Sequence, residues 1–187
     1  MENKLKALLD HTYQHMDKAM SHLETELLKV RAGKASPSMV EGVMVDYYGS
    51  PTPISQVANV NSPDARLIVI QPWDKSVIHA IEKAILAANL GFNPQNDGTL
   101  IRVPVPPQTE ERRKELVKKA KAEGEHARVS IRNLRREGMD HIKDLIKHGL
   151  PEDIGKEGEN KIQKMTDEHI ARVEKHLETK EKEIMTV

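Results

Sequence analysis

Seven residues near the start of the chain, Leu9, Tyr13, Met16, Met20, Leu23, Leu27 and Val30, are spaced four, three, four, three, four and three apart. This alternation is an a/d heptad seam, the pattern of a helix that buries one stripe against partner helices. Residues 5–30 therefore read as one long helix that cannot stand alone. Two further seams supply its partners. Leu116, Ala120, Ala127, Ile131, Leu134, Ile142 and Leu145 form the second; Ile162, Thr166, Ile170, Val173, Leu177 and Ile184 form the third. Thr109 followed by Glu110 and Glu111 suits a helix start, with a capping hydroxyl and then acids near the positive dipole end. HGLPED (148–153) ends the second helix and begins the third. Gly124 and Gly138 lie on or near the second seam, where each costs about 1 kcal/mol relative to alanine. Close helix approach and a local bend are their two possible uses.

The character changes between the first and second seams. Nine of the ten prolines fall between Pro37 and Pro107. GVMVDYY (42–48), the alternating ISQVANV (54–60), the aliphatic RLIVIQ (66–71) and TLIRVPV (99–105) read as strands. Pro104 cannot donate to a ladder, which puts the last of them at an edge. Residues 74–91 read as a helix capped by Asp74 and Gly91. Tyr47, Tyr48 and Trp73 are expected to pack in the core of this unit rather than form an exposed contact surface. The fold class is α+β with two domains: a long three-helix bundle (1–30 and 107–187) with a small β/α/β domain (31–106) inserted between helices one and two. Hinge connectors are expected at 31–36, with Arg31, Ala32, Gly33, Lys34 and Ala35, and at 103–108, with Val103, Pro104, Val105, Pro106 and Pro107. Glycine on one side and proline on the other suggest a semi-stiff double hinge.

The 187 residues contain no cysteine, which removes disulfides, thiolate metal sites and a cysteine nucleophile. The first thirty residues are charged throughout, unlike a signal peptide, and the longest aliphatic run, LIVI at 67–70, is too short for a bilayer. A cytoplasmic protein without membrane contact is the expectation. Formal net charge is +0, but the charge is segregated. Residues 112–136 hold ten Lys or Arg against three Glu, whereas residues 152–187 hold ten acids against seven bases. A local excess can direct binding where the total cannot.

ARVSIRNLRREG (127–138) concentrates that excess. With Ala127, Ile131 and Leu134 facing the core, Lys114, Lys121, Arg128 and Arg135 recur every seven residues. They make a line of about 30 Å along the helix. Arg132 lies beside it and Arg136 further round. A solvated face with internal salt bridges, Glu125 pairing Arg128 or Arg132, is one reading. The other is a phosphate-binding stripe, since guanidinium forks match phosphate and no acid occurs between Arg128 and Arg136. Such a stripe suits the backbone of structured RNA better than sequence readout, because few aromatics are near to stack bases.

Other chemistry is absent. GKAS (33–36) lacks the upstream glycine and the hydroxyl of a phosphate loop. His11, His15 and His22 show no metal-protease spacing and are expected to face solvent. Neither a nucleophile–base pair nor a cofactor fingerprint emerges, so no enzyme activity, cofactor, metal or small-molecule substrate is expected.

Several segments together resemble the ribosome recycling factor family: VRAGKASPS (30–38), DYYGSPTPISQVANV (46–60), QPWDKS (71–76), GFNPQNDGTLIRVPVPPQTEERRKEL (91–116), ARVSIRNLRREG and QKMTD (163–167). Small departures are Lys34 where arginine is common, Phe92 and Gln108 where leucine is common, and Glu137 where aspartate is common. The resemblance implies a three-helix bundle with a β/α/β domain, and a monomer that binds the post-termination ribosome. The bundle would contact large-subunit ribosomal RNA in the intersubunit region, and the hinged small domain would meet elongation factor G. GTP hydrolysis by that factor would drive the subunits apart. The family's ribosome-contacting arginines carry over onto Arg128, Arg132 and Arg135, with Arg31 near the hinge. The basic line adds Lys114, Lys121 and Arg136 as candidate RNA contacts. A general structured-RNA-binding bundle and a coiled-coil scaffold are the alternatives.

Overall fold

The computed structural model describes residues 1–30 and 33–186; the expectations placed on Arg31 and Ala32 lie outside them. In chain order the elements are α1 (Glu2–Lys29), β1 (Met44–Tyr47), β2 (Ser50–Pro53), β3 (Ala58–Asp64), β4 (Leu67–Pro72), α2 (Ile78–Ala87), β5 (Gln95–Asn96), β6 (Ile101–Pro104), α3 (Glu110–Lys147) and α4 (Glu152–Met185). They fall into two compact units, Met1–Ala32 with Glu110–Val187, and Gly33–Thr109.

The first unit packs α1, α3 and α4 around one core that includes Met16, Met20, Leu23, Ile131, Ile142, Ile162 and Val173. The α1 seam holds from Met16 to Val30 and then changes register. Thr12 is buried, whereas Tyr13 is 43% exposed. A straight helix drifts by about 20° per heptad against a strict seven-residue repeat, so the buried line slips by one residue. Thr12 is also small enough to face Gly138 of α3, where an added Cβ would stand 3.4 Å from its hydroxyl.

The two glycines of α3 serve close approach. A Cβ on Gly124 would stand 2.9 Å from Leu177 Cγ, and one on Gly138 would stand 2.8 Å from Ile162 Cδ1. Leu177 and Ile162 of α4 occupy the space those side chains would need. Pairing of 124 with 177 and 138 with 162 also makes α3 and α4 antiparallel.

One polar group crosses this core. His169 is 1% exposed, with Nε2 2.9 Å from Asp17 Oδ1 of α1 and Nδ1 2.6 Å from the Met165 carbonyl oxygen. Both ring nitrogens meet acceptors, and the Tyr13 ring packs edge-on at 5.1 Å. The hydrogen bond to His169 holds the Asp17 carboxyl below its ordinary range; partial desolvation opposes this and Arg172 reinforces it.

In the second unit, β1 and β2 form a hairpin, and the other strands form an antiparallel sheet in the order β3-β4-β6-β5. Ile68 and Ile70 of β4 and Ile101 and Val103 of β6 alternate into a core shared with Ile78, Ile81 and Ile85 of α2. Three local expectations change. Residues 54–56 form a 3-10 turn, and the strand begins at Ala58. The helix expected over 74–91 is shorter; Asp74 does cap, accepting from the Ser76 N–H at 2.9 Å, but a 3-10 turn precedes α2, which ends at Ala87. β6 lies between β4 and β5 rather than at an edge. Val105 donates its N–H to the Arg66 carbonyl at 2.8 Å, so the neighbouring pair Leu67–Pro104 is a non-bonded one. The side of Pro104 that lacks an N–H therefore faces away from β4, where β5, paired only at Ile101 and Arg102, has already ended.

The sheet also claims part of the expected connectors. Val103 and Pro104 belong to β6, and Val103 and Val105 are buried. Ala35 donates its N–H to the Ala65 carbonyl and accepts from the Ser62 hydroxyl, each at 2.8 Å. Ala35, Val103, Pro104 and Val105 are thus anchored in the sheet unit. Gly33, Lys34, Pro106 and Pro107 are the connector residues that remain. Gly33 has φ +77°, and Gln108 Cγ lies 2.5 Å from where its Cβ would be.

Two outcomes follow from this packing. Gly124→Val forces Leu177 to repack and is expected to lower stability by about 1–3 kcal/mol in urea unfolding; an unchanged midpoint would contradict close approach. Asp97 accepts the N–H groups of Leu100 at 2.7 Å and Thr99 at 2.9 Å and pairs with Arg102, and these in that order lower its pKa from 3.8 to about 2. Its contribution is full above pH 3.8 and is lost as pH falls through about 2. A carboxyl NMR titration should give a midpoint near the lower value; one near that of a free aspartate would contradict the turn's geometry.

Candidate nucleic-acid interface

The core stripe of α3, with Ala120, Ala127, Ile131 and Ile142 buried, fixes where its basic residues emerge. They divide into a line against α4 and a ridge facing solvent.

Lys121, Arg128 and Arg135 form the line, and each meets a polar partner from α4. Lys121 Nζ lies 3.9 Å from Glu181. Arg128 donates from Nε to Glu174 Oε1 at 2.9 Å and from Nη1 to Glu125 Oε2 at 3.1 Å. Arg135 donates from Nε to Gln163 at 2.7 Å, and Gln163 donates to Asp167 at 2.9 Å. Asp167, Glu174 and Glu181 are themselves seven apart. Because the helices run antiparallel, each step of seven down α3 is matched by a step of seven up α4. The result is an interhelical charge ladder of the kind found beside coiled-coil seams.

The middle rung is largely enclosed. The Arg128 side chain is 18% exposed, whereas its partners Glu125 and Glu174 are 57% and 58% exposed. Partial burial works against the Arg128 charge, but the hydrogen bonds to Glu174 and then Glu125 outweigh it and raise its pKa above the ordinary arginine value. The shallow cleft beside it is lined by Lys121, Arg128, Glu125, Glu174, Glu178 and Glu181, two cations against four carboxylates. This stretch does not present bare positive charge.

The ridge is different. Arg132 is exposed and its nearest acid, Glu125, lies 3.7 Å away. Arg136 is also exposed, one turn further on, and makes no salt bridge among the described residues. Val129, one turn before, is 47% exposed. Lys114, without an α4 counterpart, pairs with Glu110 at 3.3 Å. The basic residues that sequence spacing groups as one stripe thus separate: Lys121, Arg128 and Arg135 are engaged by α4, Lys114 by its own helix, and Arg132 and Arg136 stand outward. Glu174 and Gln163 are the participants that spacing on α3 alone does not reveal; the heptad repeat of Asp167, Glu174 and Glu181 is the signal that carries Glu174.

Elsewhere, Tyr48 and Trp73 are 71% and 68% exposed, and Tyr47 is at the margin, so core packing is not their use. Tyr48 takes φ +50° beyond the β1 strand, and its hydroxyl donates to Asp74 at 2.8 Å, which ties this exposed ring to the cap of the 3-10 turn before α2. His11 and His22 are exposed and His15 is half-buried. Among the described residues no three acids or histidines gather as a metal site, and no helix is long and apolar enough to cross a membrane.

Comparison with known proteins bears on this arrangement. The family model described as Ribosome recycling factor matches residues 23–185. The ribosome-recycling factor of Bacteroides fragilis is 52% identical over 183 residues, covering 98% of each chain. That of Flavobacterium johnsoniae is 50% identical over 187 residues, covering 100% of each. A solution structure of the ribosome recycling factor is 42% identical, covers 98% of both chains and has a TM-score of 0.71. A T. thermophilus ribosome recycling factor, represented with E. coli elongation factor G on the E. coli post-termination complex, is 45% identical, covers 97% of this chain and 99% of its own, and has a TM-score of 0.60.

The division into line and ridge has a stability signature. Arg128→Ala is expected to cost about 1–2 kcal/mol, because it leaves two carboxylates without their shared donor. Arg132→Ala should stay within about 0.5 kcal/mol, as an exposed substitution does. Urea unfolding of the two variants decides; equal losses would contradict the division.

Proposed function

Because the chain belongs to the ribosome recycling factor family, we propose that it binds the post-termination ribosome and, with elongation factor G and GTP hydrolysis by that factor, promotes subunit separation and release of mRNA and tRNA. Full-length identity of about half with the named factors carries this reading. The T. thermophilus relative placed with elongation factor G on a post-termination complex names the setting.

Within that reading the bundle is the anchor. Arg132 and Arg136 offer guanidinium groups that no strong internal pair consumes, on a helix held rigid by two neighbours. Planar forks bind phosphate by charge-assisted bonds, so large-subunit ribosomal RNA is the proposed contact. Arg135 keeps its Nη groups for the same use while Nε is bound to Gln163. Arg128, Lys121 and Lys114 lie on the flank, and Arg31 keeps its place in the proposal on family grounds alone. The small unit is the lever. Two chain crossings join it to the bundle, and Gly33, Lys34, Pro106 and Pro107 form the proposed joint. A paired connection of this kind swings more readily than it stretches, which is what a part driven by a second factor requires. The chain performs no chemistry of its own; hydrolysis belongs to elongation factor G. The protein works in the cytoplasm as a monomer, since the three apolar seams are spent on one another inside the bundle. That internal use also disfavours the scaffold alternative, which needs an exposed seam.

Light scattering of post-termination ribosomes tests the reading: separation is expected only with this protein, elongation factor G and GTP together. Equal affinity for ribosomes and for unrelated structured RNA would instead support a general RNA-binding bundle. Arg132→Ala should weaken ribosome binding by about 1–3 kcal/mol with helicity unchanged.

A further inference from the structure

The ladder leaves Arg128 in an unusual position for a residue beside a phosphate-binding ridge. Its guanidinium is already satisfied on three sides by two carboxylates, Glu174 through Nε and Nη2 and Glu125 through Nη1. Glu125 also reaches Arg132, at 3.7 Å. One acid therefore touches both the enclosed arginine and the exposed one. Glu125 and Glu174 are themselves more than half exposed, so they face whatever approaches. A phosphate arriving at Arg128 must displace a bound carboxylate and also come close to a second one.

We propose that Glu125 and Glu174 are specificity-determining residues of the RNA interface, occupying Arg128 as internal phosphate substitutes so that only RNA offering several correctly placed phosphates at once can engage the cluster. The inference rests on the RNA-binding reading of the ridge. The physical argument is one of exchange. Swapping a carboxylate for a single phosphate at Arg128 trades one charge-assisted bond for another and gains little. It also brings the new anion beside the displaced one, and like charges at short range repel. A lone phosphate therefore binds at Arg132 or Arg136 and leaves Arg128 with its acids. A rigid array of phosphates, as a folded ribosomal RNA surface presents, gains at the ridge first and meets the cost of displacement from that gain. Random RNA, with no matched array, does not. The acids thus lower general affinity for RNA while sparing the matched site. A merely structural role predicts the opposite sign: weakening the ladder would loosen α3 against α4 and reduce every affinity.

Glutamine keeps the size and acceptor oxygen of glutamate but removes its charge, so E174Q and E125Q are suitable variants. Binding is measured for an RNA hairpin unrelated to ribosomal sequence and for whole ribosomes, over a series of salt concentrations. Glu137→Gln serves as the control, because Glu137 is an exposed α3 acid that changes net charge equally and makes no salt bridge among the described residues. Each of E174Q and E125Q is expected to bind the hairpin at least about threefold more tightly than E137Q does. The slope of log affinity against log salt should steepen by about 0.7 to 0.9 for the one arginine released. Preference for ribosomes over the hairpin should fall. Hairpin affinity in E174Q and E125Q that equals or falls below that of E137Q overturns the proposal. A wild-type protein with no preference for ribosomes in the same assay would fail the recycling reading instead, whatever the variants do.

Discussion

The contact between α3 and α4 governs the rest of the bundle. It is close because glycine removes a side chain where the helices meet. Leu177 and Ile162 then fill the space over Gly124 and Gly138. In an isolated helix each of those glycines costs about 1 kcal/mol relative to alanine. In the bundle that cost is offset by an apolar side chain seated on the facing backbone, which removes more surface from water than an ordinary crossing. Close approach also sets how near the flanking side chains come. Arg128 reaches Glu174 across the helices with Nε to oxygen at 2.9 Å, a bond that a wider spacing would break. The glycines and the charge ladder are therefore one design: the first brings the helices together, and the second fixes their register.

That coupling explains why the fold was more legible than the site. Three heptad seams, a proline-rich insertion and helix-end signals at Thr109 and Gly149 are local features with a period, and local features can be read in order along a chain. The exceptions have local causes as well. Thr12 replaces Tyr13 because a helical period does not divide evenly into seven and because α3 comes close there. The aromatic residues of the small unit mislead because hydrophobicity does not require burial. Tyr48 is held outward by a left-handed backbone and by a hydroxyl bond to Asp74. Proline at 104 points to an edge strand, whereas β6 is internal and Pro104 occupies a ladder position where its missing N–H has no partner strand to serve.

The site depended on a pairing between segments far apart in sequence. Spacing placed Lys121, Arg128 and Arg135 on one line, and the structure agrees about the line. It could not say what lay opposite. An arginine's availability for RNA is set by its competitors, and one competitor of Arg128, Glu174, sits 46 residues further along the chain. Arg136, which spacing sets apart from the line, stands outward beside Arg132 and makes no salt bridge among the described residues. The buried His169 is illegible from spacing for the same reason: its acceptor Asp17 is 152 residues away. Of the histidines that spacing draws out, His11 and His22 face solvent and His15 is half-buried.

Net neutrality then has a mechanical meaning. A protein with a uniformly basic surface would meet RNA in many orientations, because long-range attraction does not depend on which face approaches. Here Glu174 and Glu181 of α4 pair with Arg128 and Lys121 at close quarters, within the Debye length of about 8 Å at physiological salt, so little field extends from that line. What remains is a short ridge that acts only on contact. Binding by such a ridge is weak until shape aligns several phosphates, and then it is orientation-specific. On the proposed reading, a body seated one way round on a large RNA surface needs orientation more than raw affinity. Charge cancelled inside the molecule would supply that selectivity without any contact to a base.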